Sequence, residues 1–416
     1  MKRKFRILPL LLSLAILVGC TAGADTETDP AGTEEVVESD ASDEHQSDRA
    51  LLSDYLAVTP SGEHDVRVLF LNVSKADAIL LLIDGGAWLI DTGTADTVPI
   101  VLGACEDLGV SELRGIFITH TDNDHTGGLR QILSEVPADA VYTSTISADW
   151  SKVERLRGDT PRTALDPGAV VEAAEGVWFE AFGPIRYNPR DDNNSLVLRL
   201  RVNGATLLFT GDMMFDEEKT LMSAGLDLRC DLLKVGHHGK KDATSESFVA
   251  EAGPDIAVIC ANKEEESDSV HKSVVKLLEK AGAEVLVTQD YAHGIEVTVG
   301  ADGKIQTAAY ETTHRGEGVV LEEVSKADQL VVLRNTTGED IAIAEWWIAS
   351  RTGNELFEFP AGAVIPAGGT VTVGCTDYDG APDYRWNEGK VWHKSKEDTA
   401  ALIDPWGNTV DTMESR

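Results

Sequence analysis

Two histidines and two aspartates stand within six residues of one another, as His120, Asp122, Asp124 and His125. They directly follow Gly115–Thr119, an apolar run that predicts a buried strand, so a turn at the strand end can bring all four side chains to one point. Imidazole and carboxylate together suit zinc, manganese or iron. A solvated turn beneath a buried strand would not favour this combination, so the segment predicts a metal site.

Three further segments end predicted strands with residues of the same chemistry. Asp91 closes one apolar run, and Asp212 follows another through a Thr-Gly turn. His237 and His238 stand together at the end of a third run. Because loops at strand ends bear the chemistry of layered α/β folds, we expect these residues to lie beside the first cluster.

The segments that must position these residues alternate between strand and helix patterns. Apolar runs at 66–73, 78–84 and 87–91 predict strands, and 97–108 predicts a helix. Most of the strands are apolar on both faces, so helices must cover the sheets. The sequence therefore predicts an α/β domain over residues 66–310.

In their types and order these motifs resemble the metallo-β-lactamase fold hydrolases, in particular the metallohydrolase domain of the ComEC/Rec2 competence proteins. That branch has aspartate at the second ligand position, as at Asp122, where most of the superfamily has histidine. The segment Asn193–Leu198 before the Thr-Gly-Asp turn is also similar to it. The resemblance implies an αββα sandwich with a metal site at one edge.

Carried over residue by residue, the resemblance implies one or two divalent ions, zinc or manganese. The implied metal ligands are His120, Asp122, Asp124, His125, Asp212, His237 and His238, and the implied catalytic residues are Asp124, Asp212 and His238. His120 and Asp122 would hold one ion, and Asp124 and His125 the second with one of the two adjacent histidines. Asp212 would bridge the two ions.

Supporting positions follow from the same resemblance, together with two departures from it. Asp91, Asn194 and Ser195 would orient the ligands, but most of the superfamily has a metal-binding histidine where Asn193, Asn194 and Ser195 stand. The first site is therefore predicted to be weaker or open, with a preference shifted from zinc toward manganese or magnesium. The loop after the first strand lacks the glycines typical of the competence branch but retains Asp77.

The predicted activity is hydrolysis of a phosphodiester by metal-activated water, and the simplest such substrate is extracellular DNA. A carboxylate-rich site that holds two ions suits this reaction. Lys240 and Lys241, directly after the His-His-Gly turn, are the predicted phosphate contacts. The net charge of −35 argues against a generic nucleic-acid binder. Two alternatives stay open: a hydrolase of another cell-envelope phosphodiester or ester, such as teichoic acid or phosphocholine, and a catalytically silent binding protein.

The N-terminus predicts export and anchoring. A basic start and an apolar run from Ile7 to Val18 suit a signal peptide, and Leu17–Cys20 resembles a bacterial lipobox. By that resemblance residues 1–20 are the signal region and Cys20 is lipidated, which places the protein on the extracellular face of the cytoplasmic membrane. Residues 21–65 are acidic and low in aromatics, which predicts an extended tether. No stable protein partner is predicted.

After a predicted linker at 311–324, short apolar runs separated by turn residues predict a β-sandwich over residues 325–416. Trp346-Trp347-Ile348 and the segment Leu402–Asp411 resemble the lamin-tail domain, an all-β immunoglobulin-like sandwich. That resemblance implies an adhesion or targeting module. With 416 residues, the chain is long enough for two such domains.

Overall fold

The computed structural model describes residues 63–147, 149–393 and 395–416. The predicted signal region with Cys20, and the predicted tether as far as residue 62, lie outside these ranges. Within them, no helix combines the length and the apolar character that crossing a bilayer requires.

Strands and helices alternate through the first domain. Its strands are β1 Val66–Leu71, β2 Ile79–Ile83, β3 Gly86–Ile90, β4 Gly115–Phe117, β5 Val141–Ser144, β6 Arg162–Leu165, β7 Val170–Ala174, β8 Val177–Gly183, β9 Val197–Val202, β10 Ala205–Phe209, β11 Leu232–Lys234, β12 Ile256–Ile259, β13 Glu284–Val287, β14 Gly294–Val299 and β15 Ile305–Tyr310. Its α-helices are α1 Val98–Asp107, α2 Asn123–Thr126, α3 Leu129–Glu135, α4 Ser151–Leu156, α5 Phe215–Ala224, α6 Glu246–Ala252 and α7 Lys272–Ala281.

Two sheets stack face to face in this domain. One has the order β15-β14-β1-β2-β3-β4-β5-β6 and the other β13-β12-β11-β10-β9-β8-β7. Aromatic pairs join them, with ring centroids 6.2 Å apart for Phe70 and Phe209 and 4.8 Å apart for Phe117 and Phe179. Separate apolar clusters pack helices on the outer face of each sheet. The predicted αββα sandwich is confirmed.

Parallel strands bring the polar strand ends to one edge of the sandwich. β3 and β4 run parallel in one sheet, and β10, β11 and β12 run parallel in the other. The carboxyl ends of neighbouring parallel strands meet at one sheet edge, so the segments that follow them are neighbours. A backbone hydrogen bond from Leu196 N to Thr119 O, 2.8 Å long, joins the two sheets at that edge.

The second domain is a β-sandwich. Its strands are β16 Val319–Ser325, β17 Leu330–Asn335, β18 Ile341–Ala342, β19 Trp347–Ser350, β20 Leu356–Glu358, β21 Val364–Ile365, β22 Thr370–Cys375, β23 Tyr384–Trp386, β24 Thr399–Ile403 and β25 Thr409–Glu414. The sheets β16-β17-β22-β23 and β20-β19-β24-β25 enclose a core that contains Trp386 and Trp392. The predicted linker at 311–324 differs from the structure, because residues 319–324 belong to β16, which pairs with β17.

The sandwich is in direct contact with the first domain. The Arg351 guanidinium lies 2.9 Å from Asp96 Oδ2, and His293 Nε2 lies 2.7 Å from Asn408 Oδ1. The backbone of Trp406 lies so close to Gly103 in α1 that a Cβ atom on residue 103 would overlap it. Polar and backbone contacts therefore fix the second domain against α1 and the segment before it.

Candidate metal centre

The strand ends at the edge of the sandwich adopt unusual backbone conformations. Asp91, His237 and His238 have φ angles of 58°, 45° and 52°, which non-glycine residues rarely adopt. Such conformations cost about 1–3 kcal/mol each and persist where the surrounding structure enforces them. At Gly211, with φ 51°, a Cβ atom would lie 2.8 Å from Thr119 Cβ. The chain is thus folded tightly to bring polar side chains inward.

Asp91 organises the loop after β4. Its Oδ1 accepts a hydrogen bond of 2.8 Å from Thr119 N, and its Oδ2 accepts one of 2.7 Å from Thr119 Oγ1. The same Oδ2 lies 2.8 Å from His125 Nδ1. This contact fixes the orientation of the imidazole and turns its Nε2 toward Asp212, as a carboxylate behind a metal-binding histidine does.

One set of ligand atoms converges around Asp212 Oδ2. His238 Nε2 lies 3.2 Å and His125 Nε2 lies 3.4 Å from this oxygen. Asp124 Oδ2 lies 3.4 Å from His238 Nε2. The carbonyl oxygen of Cys260 holds His238 Nδ1 at 2.9 Å, which fixes that ring as Asp91 fixes His125.

A second set of ligand atoms surrounds His120 Nε2. Carboxylate oxygens of Asp122, Asp192 and Asp212 lie 4.0, 3.9 and 4.0 Å from it. Asp192, which the sequence analysis missed, stands immediately before the asparagines found where most of the superfamily has a histidine. The short 3₁₀ turn Asp191–Asn194 places its largely buried carboxylate beside His120. The sequence signal that could have identified Asp192 is its place directly before the segment where most of the superfamily has a metal-binding histidine.

The donor atoms of both sets fit divalent cations. Among the described residues, the Nε2 atoms of His120, His125 and His238 and the Oδ1 atom of Asp212 are buried without a hydrogen-bond partner. Burying unpaired polar atoms is costly, and nitrogen and carboxylate oxygen are the donors that zinc, manganese and iron accept. His120, Asp122 and Asp192 would hold one ion, Asp124, His125 and His238 a second, with Asp212 shared.

Comparison with protein families assigns both domains. The metallo-beta-lactamase superfamily matches residues 71–262. The first domain belongs to that superfamily. The lamin tail domain family matches residues 312–416, which covers the β-sandwich. The chain therefore joins a metallo-beta-lactamase domain, a fold that implies divalent metal binding and hydrolysis, to a lamin tail domain.

Curated relatives of the metallo-beta-lactamase domain include "Competence protein ComA" of Neisseria gonorrhoeae, which is 27% identical over 217 residues, 50% of this chain and 29% of that protein. "ComE operon protein 3" of Bacillus subtilis is 28% identical over 189 residues, which are 43% of this chain and 24% of that protein. "Recombination protein 2" of Haemophilus influenzae is 28% identical over 216 residues, 50% of this chain and 26% of that protein. The chain thus spans about a quarter of their length. The solved metallo-beta-lactamase fold protein YhfI of Bacillus subtilis has a TM-score of 0.40 and 15% identity, covering 59% of this chain and 100% of that one.

The other predicted site residues take different places in the metallo-beta-lactamase domain. Ser195 Oγ accepts a 3.0 Å hydrogen bond from Asp212 N, whereas Asn194 bonds to the backbone of Asn188 and stays outside the ligand sets. The ring of His237 is held by Asp242, and a ligand atom of that ring lies within 4.8 Å of Asp192 and Asp212. Lys240 Nζ lies 2.8 Å from Glu266 and 3.3 Å from His237 Nε2, and Lys241 is exposed.

A buried ion pair underlies the metal centre. Lys234, whose side chain is 1% exposed, pairs with Asp77, donates a 2.9 Å hydrogen bond to Gly211 O and lies 3.7 Å from Asp212 Oδ1. Burial alone would lower the pKa of this lysine, but Asp77 and Asp212 raise it above its ordinary value. The charged lysine therefore holds the Asp212 turn in place.

Replacing Lys234 with methionine is expected to destabilise the protein by about 3–5 kcal/mol, because the Asp77 charge is left buried without its partner. Urea unfolding in EDTA measures this free energy. The double variant Lys234→Met/Asp77→Leu should recover part of the loss. Lys304→Met, which breaks an exposed pair with Asp302, is the matched control and should leave the free energy of unfolding nearly unchanged. A Lys234→Met variant as stable as that control would contradict the assignment.

Without an ion, protons on the histidines balance the charges of the centre. Burial would lower the pKa of the His238 imidazolium, but Asp212 and Asp124 raise it to about 10. Asp212 and Asp91 likewise outweigh burial and raise the pKa of His125 well above its ordinary value. The pKa of Asp212, which burial would raise, is held well below its ordinary value by His238 and His125. Both rings are therefore protonated at neutral pH.

Loading a divalent ion at pH 7 is expected to release about two protons, because both imidazoles must be neutral to act as ligands. Since the pKa of His238 is raised to about 10, affinity for the ion should increase as the pH rises from 7 toward that value. Calorimetric titration with Mn²⁺ in buffers of different ionisation enthalpy counts the released protons. His238→Gln should remove about one of them, and a binding enthalpy independent of the buffer would contradict the charge state.

Proposed function

We propose that this chain is a metal-dependent phosphodiesterase that cleaves DNA outside the cell and is held at the membrane by lipid on Cys20. The observation that supports it best is the sharing of Asp212 between two adjacent sets of ligand atoms. A pair of ions held in this way supplies an activated water and a clamp on the attacking and leaving oxygens of a phosphodiester.

The side chains around the ligand sets have supporting roles in this proposal. Asp91 and the Cys260 carbonyl keep the rings of His125 and His238 in one orientation. His237, held by Asp242 and close to Lys240, faces the shared aspartate from the rim. Because Lys240 Nζ donates toward His237 Nε2, the ring helps to position the ammonium, which can contribute positive charge toward a phosphate.

The substrate class is proposed from the relatives, whose names refer to competence and recombination. Recombination acts on DNA, and a nuclease is the simplest phosphodiesterase that such a setting uses. The set around His120 contains three carboxylates and one imidazole, so we propose that it prefers manganese to zinc.

The test is cleavage by the purified full-length chain in detergent, with Mn²⁺ or Zn²⁺ added, compared with EDTA. Three substrates are offered: end-labelled single- and double-stranded DNA, bis(p-nitrophenyl) phosphate, and phosphocholine-bearing teichoic acid. The proposal expects metal-dependent cleavage of DNA.

The remaining outcomes separate the alternatives. Cleavage of teichoic acid without cleavage of DNA would replace the nuclease with an envelope phosphodiesterase. Bound metal with no cleavage of any phosphodiester would overturn the phosphodiesterase proposal. A chain that binds no ion at all would favour a silent binding protein.

A further inference from the structure

Two aromatic side chains of the described residues stand out by their exposure. Tyr187 is 59% exposed and Phe215 is 45% exposed, and the other large hydrophobic residues of comparable exposure in the described ranges are valines. Exposing an aromatic ring to water is unfavourable, so a surface ring that no neighbour covers invites a flat apolar ligand.

Both rings belong to segments that border the metal centre. Tyr187 belongs to the segment 185–190, whose Asn188 is tied to Asn194 through 2.7 and 2.8 Å hydrogen bonds, directly before β9. Phe215 starts α5, three residues after Asp212, and its backbone N–H donates to Asp242 O at 3.2 Å.

A side-chain contact joins the two segments that bear the rings. Asn188 Nδ2 donates a 3.3 Å hydrogen bond to Asp216 Oδ2, and these two residues are the chain neighbours of Tyr187 and Phe215. The two exposed rings therefore belong to adjacent segments, and together we call Tyr187 and Phe215 the aromatic rim.

Positive charge lies between the aromatic rim and the ligand sets. Arg190, whose side chain is about half exposed, contacts Asp192 through Nε at 2.8 Å and Asp242 through Nη2 at 3.4 Å. Asp242 in turn holds the His237 ring. A phosphate at the metal centre would thus have an arginine beside it.

We infer that the aromatic rim is a stacking platform for the bases of single-stranded nucleic acid, an inference that rests on the proposed function and narrows its substrate. Every base has an apolar face that stacks on an aromatic ring without regard to sequence, and a cation nearby follows the backbone. In a duplex the bases are stacked on each other and closed to the rim. The surface therefore selects single strands or frayed ends over double-stranded DNA.

The test compares two fluorescent oligonucleotides of equal length, one of thymidine and one of abasic sites, so that the phosphates are identical and only the bases differ. Binding to the full-length chain is followed by fluorescence anisotropy at low ionic strength in EDTA, where metal-dependent cleavage is stopped. The wild-type chain should bind the thymidine strand at least about tenfold more tightly. Tyr187→Ala and Phe215→Ala should each remove most of that preference without lowering the affinity for the abasic strand.

The controls keep the inference open to contradiction. Tyr187→Trp should retain the preference for bases, and Val170→Ala, which trims an exposed apolar residue on the edge strand β7, should leave it unchanged. Equal affinity of the wild-type chain for both strands, or an unchanged preference in the Tyr187→Ala/Phe215→Ala variant, would overturn the inference. If the chain prefers strands with bases but does not cleave DNA, the stacking inference is supported and the nuclease proposal is contradicted. If it cleaves DNA without a preference for bases, the nuclease proposal is supported and the stacking inference is contradicted.

Discussion

Asp212→Asn is expected to lower kcat/KM for a phosphodiester by about 10³-fold or more, because one carboxylate serves both ligand sets and its loss disturbs both. Asparagine has the shape of aspartate but lacks the charge that lies 3.2 and 3.4 Å from the His238 and His125 nitrogens. The amide also cannot bind two cations through one anionic group. We therefore expect the metal content, measured by inductively coupled plasma mass spectrometry, to fall by at least one ion per chain.

The matched control for this change is Asp302→Asn, which removes one aspartate charge in an exposed turn of the same domain. It should retain full metal content and activity. If Asp212→Asn kept its ions and lost activity, Asp212 would act on the reaction without holding metal. If it kept both, the shared-ligand assignment would be wrong.

Asp192→Asn is expected to weaken the binding of one ion and to leave the binding of the other unchanged. Its carboxylate lies beside His120 and Asp122 but has no part in the set formed by Asp124, His125 and His238. Removing it should lower the affinity of one site for Mn²⁺ by at least about 10- to 100-fold, which is the loss seen when a residue that only supports a metal ligand is removed. A titration of Mn²⁺ followed by electron paramagnetic resonance separates the two affinities.

Asp192→His provides the sharper contrast, because it puts an imidazole next to the position where most of the superfamily has one. The first set would then contain two nitrogens, and its preference should move from manganese toward zinc. Competition between the two ions, measured on the folded protein, gives the ratio directly. Unchanged affinities in both Asp192 variants would exclude this residue as a ligand.

The ligands that the sequence predicted share one property: each follows an apolar strand and stands in a short motif. The strand pattern of 115–119 placed His120 and the residues after it, and the Thr-Gly turn placed Asp212. Asp192 escaped because it lies in a 3₁₀ turn, and no periodicity tells which of two adjacent aspartates turns inward. In the structure Asp191 bonds to Thr121 and Ser147, which leaves Asp192 to face His120.

Long-range packing explains the other gaps. Lys234 lies at the end of an apolar strand, and its position gave no sign that Asp77, from the loop between β1 and β2, would pair with it inside the protein. The start of β16 was hidden because the acidic pair Glu322-Glu323 makes the strand look like a linker. Its pairing with β17, with a bulge between Leu321 and Glu323, exposes both glutamates and buries the apolar residues.

The close approach of Trp406 to Gly103 has a consequence for how the chain comes apart. Arg351 pairs with Asp96, which accepts a hydrogen bond from Thr94, and the backbone there lies against Gly127, two residues beyond His125. Because the β-sandwich is joined to the metallo-beta-lactamase domain in this way, we expect the two domains to unfold in a single cooperative transition in heat or denaturant. Truncation at the linker would expose the surface of α1 that contacts Trp406 and would leave Asp96 without the Arg351 guanidinium. We therefore expect the truncated protein to have a lower free energy of unfolding than the full chain.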